Sequence, residues 1–336
     1  SYSLTILDNL AMRDTYLDSC KATLIFLVVL GHFLERMIGW KDPIDHVLLG
    51  TIYFVHMPAF IFISGMLFKD SKWFKNILFF VALYLPFQIL FPAFDAIWSG
   101  KFQLNWNVFE RPYWILWYLL GMMVWTTLTH FLIKTKFALL IALILALCVG
   151  LSPWNNYQYS IGRIFSFFPF FIVGALYGKT IVEKIQQFKF TQILAGFIVV
   201  GIASLVYFTQ INPFWLYGSL SYQQLKVSMW DGTWIRIGCL LVSSLGIFAM
   251  FAWTKLLNIG CVQLGKNTLA VYLLHGFVVM LIARYWQLDF HIFVEIGICI
   301  GLSVLTCWML QQQFFDILLR KLSLWLIKPV EKFGLK

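Results

Sequence analysis

Ten apolar runs follow one another along the 336 residues, at about 22–39, 48–68, 74–94, 113–133, 137–151, 162–179, 190–208, 234–253, 268–286 and 292–315. Crossing about 30 Å of hydrocarbon takes roughly 20 residues of helix, which most of these runs supply; the fifth is short. Lipid offers no water to an open backbone, so each run has to close its hydrogen bonds internally as a helix. The predicted fold is therefore all-α: a polytopic membrane bundle of about ten transmembrane helices. Composition agrees, since 61% of the residues are hydrophobic and 12% charged, where a soluble domain carries roughly 25% charged residues. No separate soluble domain stands out. The chain divides into an N-terminal segment 1–21, a membrane domain 22–315 and a basic tail 316–336.

The net charge of +10 resides in short connections instead of one basic groove, which argues against nucleic acid and for topology and lipid headgroups. With the N-terminus inside, 17 Lys and Arg fall on the cytoplasmic side and 8 outside. An even number of spans then places both termini in the cytoplasm. Asp8, Arg13, Asp14 and Asp18 precede the first run and no small-residue cleavage site follows, so the first span is expected to persist. Six cysteines show no metal-ligand spacing, and no metal is predicted.

Ionisable residues inside such runs are costly unless they face protein or a water-filled path. His32 lies eleven residues after Lys21, about 15 Å along the helix and near mid-membrane if Lys21 marks the boundary. Glu35 and Arg36 follow on broadly the same side. His56 sits beside Pro58 in the descending second run, at similar depth, and His275 lies about 12 Å above Lys266. Asn267 and Thr268 are placed to cap that helix. For each histidine a structural hydrogen bond is the alternative to a chemical role. Arg163 and Arg236 stand near outer helix ends, where guanidinium could take an anionic acceptor, pair with Glu35 or anchor the interface. Lys69, Lys72 and Lys75, beside aromatics, could receive the phosphates of a large anionic donor or touch anionic lipid. The connection 209–233 is long and aromatic enough to cover a site.

Several stretches resemble the integral membrane acyltransferase family 3, particularly its fucose 4-O-acetylase-like and capsular or cell-wall polysaccharide O-acetyltransferase branch. Lys21 with ten intervening residues before His32 is similar to that family's basic-residue-to-histidine motif, FVHMPAFIFISGMLF at 54–68 to its second helix, FFPFFIVG at 167–174 to a later pattern, and LGKNTLAVYLLHG at 264–276 to its penultimate segment. Lys72 and Lys75 are an imperfect counterpart of the arginine pair found in many members.

The resemblance implies a multi-pass protein of the bacterial cytoplasmic membrane that uses acetyl-CoA as acyl donor. The acceptor it implies is a carbohydrate or lipid-linked glycan. His32 would be the catalytic general base with Glu35 beside it, Lys21, Lys69, Lys72 and Lys75 would serve the donor, and Arg36, His56, Arg163, Arg236 and His275 the acceptor path. Membrane lipids are partners by necessity; a homo-oligomer or glycan-assembly proteins are left open. The rival reading is a polytopic carrier or flippase in which the same histidines relay protons.

Overall fold

The computed structural model describes residues 2–101, 109–254 and 261–332. Lys255 and Lys336 lie outside them, as do the side chains of Asp8, Arg13, Asp14 and Lys332. The helices are α1 (Tyr2–Met37), α2 (Pro43–Met66), α3 (Trp73–Ser99), α4 (Trp117–Leu132), α5 (Ala138–Cys148), α6 (Ile161–Gln187), α7 (Thr191–Thr209), α8 (Pro213–Tyr217), α9 (Met229–Thr254), α10 (Val262–Lys266), α11 (Thr268–Tyr285), α12 (Ile292–Leu310) and α13 (Gln313–Lys332). The all-α, polytopic architecture predicted above is the one observed.

Nine helical stretches among the described residues are long and apolar enough to cross a membrane. The fifth run forms a shorter apolar helix, Ala138–Leu151, about 21 Å long at 1.5 Å per residue. Ten membrane-length helices are thus corrected to nine and a shorter one. The last run ends at Leu310, earlier than expected, and α13 occupies the tail with Leu319 and Ser323 buried on one face. The long connection 209–233 contains α8, started by Asn212, whose side chain accepts from the Phe214 amide, and closed by Gly218 in the left-handed region.

The chain groups into two compact units. The first comprises Ser1–Phe60, Lys179–Ile211 and Leu241–Asp316; the second comprises Ile61–Gly178, Asn212–Leu240 and Ile317–Lys336. In the first, α1 packs along α10, α11 and α12. Apolar side chains gain little from leaving lipid, so close backbone approach has to supply much of the attraction. Gly265 of α10 shows this: a Cβ there would run into the carbonyl of Asp18 on α1.

In the second unit α3 packs on α4, and Gly65 and Gly174 face each other's helices, where a Cβ on either would strike the carbonyl of Phe171 or Phe62. Both glycines belong to the motif stretches at 54–68 and 167–174. Buried polar groups are matched locally. The Trp125 indole donates to the Ile164 carbonyl (2.7 Å), while the Gln88 amide donates to the Arg111 carbonyl and accepts from the Tyr113 amide, both at 2.8 Å. Those two bonds tie the connection after α3 back to its helix.

Candidate functional site

The first unit builds its site from α1, α2 and α11. Asp18 pairs with Lys21 (2.7 Å) one turn along α1, beside the Gly265 contact that seats α10. Asn267 does not cap α11 with its side chain. Its amide instead donates to the carbonyl of Gln311 (2.6 Å), satisfying an end of α12 that would otherwise lack a partner. The segment at 264–276 thereby fixes α11 against α1 and α12 and presents His275 to the first helix.

Nδ1 of His32 lies 2.8 Å from Nε2 of His275. The two rings are nearly coplanar, 4° apart with centroids at 5.1 Å, so the contact runs in the ring plane where the nitrogen lone pair points. Nδ1 of His275 is 2.9 Å from the carbonyl of Val271, one turn back on its own helix. His275 is fully buried, at 0% exposure, and His56 at 1%. His32 is half-buried.

On α2, Nδ1 of His56 donates to the carbonyl of Ile52 (2.8 Å), the only role open to a nitrogen facing a carbonyl. Its ring meets Tyr53 edge-on at 4.6 Å, and the Tyr53 hydroxyl donates to Glu35 (2.8 Å). The Trp40 indole donates to the other Glu35 oxygen (3.3 Å). Glu35 is thus held by an aromatic pair, and Arg36 next to it is exposed. Pro58 cannot donate to the carbonyl of Phe54, which loosens α2 in the turn that contains His56.

Two buried groups near the start of α2 stood out in no apolar pattern. Asp45 is fully buried and neither of its carboxylate oxygens has a hydrogen-bond partner; Asp42, Glu295 and Glu35 are the charges acting on it. Nδ1 of His46 donates to the Trp40 carbonyl (3.1 Å), while Nε2 is buried without a partner. Their position at a helix start, after Asp42 caps the Ile44 and Asp45 amides, reads in sequence as an ordinary loop.

Arg163, Arg236, Lys69, Lys72 and Lys75 belong to the second unit. Arg163 has its guanidinium over Trp117 (5.4 Å) and Tyr217 (5.5 Å). Arg236, 3% exposed, donates to the Trp215 carbonyl (3.1 Å) and lies over that indole at 5.3 Å. Ser166 and Ser219 are buried with hydroxyls that lack partners, and Gly218 packs against Ser166. The connection 212–228 thus assembles an arginine, aromatic and hydroxyl cluster. Burial raises the Tyr222 hydroxyl above the usual phenol range, with Arg236 acting the other way.

Lys69, Lys72 and Lys75 are exposed on the turn before α3 and its first residues. That turn is pinned by His130, whose Nδ1 is 2.7 Å from the Asp70 carboxylate and whose ring stacks on Trp73 at 4.2 Å. Both partners of His130 come from a distant segment of the chain, so spacing within α4 does not reveal the contact. Among the described residues no three His, Cys, Asp or Glu side chains converge so as to hold a metal ion.

Known proteins are similar to this chain in sequence. The acyltransferase domain family matches residues 14–311, a span that holds His32, His56, His275, Arg163 and Arg236. Nodulation protein NolL of Sinorhizobium fredii (strain NBRC 101917 / NGR234) is 25% identical over 298 residues, covering 79% of this chain and 77% of that protein. Nodulation protein NolL of Mesorhizobium japonicum (strain LMG 29417 / CECT 9101 / MAFF 303099) is 25% identical over 306 residues, covering 79% and 76%. No solved structure matches the chain. The family suggests an acyl-CoA-like donor. A multi-pass helical membrane protein matched over most of its length, the chain belongs to the acyltransferase domain family.

Proposed function

We propose that the protein is a membrane O-acetyltransferase that moves an acetyl group from acetyl-CoA to a hydroxyl of an extracytoplasmic or lipid-linked glycan, with His32 as general base. The observation that supports this base most is exposure. Of the three histidines in mid-helix positions, His56 and His275 are sealed and His32 is half-buried, so it is the imidazole a substrate can reach.

In the reaction the acceptor hydroxyl gives its proton to His32 as its oxygen bonds to the acetyl carbon. The carbon–sulfur bond breaks, and the thiolate takes the proton back from the imidazolium. Glu35, held by Tyr53 and Trp40, is assigned to acceptor alignment, with Arg36 at the approach and His56 backing Tyr53 from the buried side. Arg163 and Arg236 are assigned to the acceptor through charge, hydroxyls and aromatic faces. Lys21, Lys69, Lys72 and Lys75 are assigned to the donor's phosphates. The Lys and Arg bias supports cytoplasmic termini on either side of a membrane domain at 22–315.

The test is release of free thiol and transfer of label from radiolabelled acetyl-CoA to glycan acceptors by purified protein, native against His32→Ala. Loss of both in the variant is the expected result. Undiminished transfer by the variant removes His32 as base, and glycan movement without thioester consumption favours a carrier.

A further inference from the structure

A carbonyl oxygen can only accept, so the Val271 contact makes Nδ1 of His275 the protonated nitrogen. In the neutral ring Nε2 must then carry the lone pair. The 2.8 Å contact with His32 consequently requires a hydrogen on Nδ1 of His32, and the basic lone pair of His32 is left on Nε2. These two distances thus fix the hydrogen on each of the two rings along Val271, His275 and His32.

We infer that His275 is a positioning residue that locks His32 in the Nδ1–H tautomer and closes the proton path behind it. This rests on the assignment of His32 as base. The histidine side chain in water favours the Nε2–H tautomer, so without His275 most of the His32 population would present N–H where a lone pair is needed. The lock also orients the ring, and the Nδ1–H bond strengthens when Nε2 gains a proton, because the donor is then charged.

The same arrangement ends the path. Both ring nitrogens of His275 are committed, one to His32 and the other to a backbone carbonyl that cannot pass a proton on. A proton taken from the acceptor therefore waits on His32 and returns to the departing thiolate. Acyl transfer by this dyad moves no proton across the membrane.

The experiment uses the full chain in nanodiscs with 15N-labelled histidine, the His32 signals being assigned by their loss in His32→Ala. The native protein should show His32 protonated at Nδ1 and unprotonated at Nε2. His275→Ala should shift it towards the Nε2–H form and lower kcat without raising the KM for acetyl-CoA, and His275→Gln, whose amide oxygen can still accept, should recover part of both. Native His32 carrying its hydrogen on Nε2, or a tautomer unchanged in His275→Ala, overturns the lock. Transfer in proteoliposomes that collapses with a protonophore overturns the closed path. If the tautomer is as stated while His32→Ala remains active, the lock stands and only the base assignment falls.

Discussion

His32 and His275, 243 residues apart in the chain, share one hydrogen bond of 2.8 Å in a common ring plane. Each sits on a different helix, and the helices meet because Gly265 lets α10 touch the Asp18 backbone. The register of His32 against His275 thus depends on a glycine well removed from His32 in sequence.

Gly265→Ala tests that dependence. The added methyl has no room against the Asp18 carbonyl, and overpacking of this kind costs about 1–3 kcal/mol. Thermal melting in detergent should show a lower Tm, and acetyl transfer should fall with it as His275 leaves its register. An unchanged Tm would mean that α10 is not docked this way.

What was legible beforehand follows from the range of each signal. Apolar length alone marks nearly every span, because lipid imposes helix on any such run. His32, His56 and His275 were visible one by one through the cost of burying an ionisable ring. Their pairing was not, because contact between α1 and α11 has no local trace. The fifth run ran short of a full span for want of length, and α13 hid in a charged tail whose buried face shows only at helical spacing. Asp45 and His46 were missed since a carboxylate and an imidazole beside Asp42 and Pro43 look like turn residues until their burial is known.

Asp45→Asn should stabilise the protein. The native carboxyl is buried with no hydrogen-bond partner and with three other carboxylates acting on it; a neutral isostere is free of the cost of ionising there, about 1 kcal/mol or more. The check is Tm in detergent, and a lower value would show that Asp45 has a partner worth keeping.

Neutralising Lys69, Lys72 and Lys75 together should raise the KM for acetyl-CoA severalfold and leave kcat near native. Because all three are exposed, the effect should shrink at high salt. A KM indifferent to the triple change would assign these lysines to lipid and topology instead.

Arg163→Gln should weaken an anionic glycan acceptor more than a neutral one, measured as acceptor KM in the transfer assay, since the guanidinium lies over Trp117 and Tyr217 as a half-buried cation on an aromatic wall. Equal losses for both acceptors would leave Arg163 a packing role alone.

The most direct measurement is the kcat for acetyl transfer across His32→Ala, His275→Ala and the double variant. General-base loss predicts a fall of about 10²–10⁴-fold for His32→Ala, a smaller fall for His275→Ala, and a double variant no slower than His32→Ala, because His275 acts only through His32. Losses that multiply in the double variant would contradict the account, for His275 would then be contributing independently of the imidazole it is said to hold.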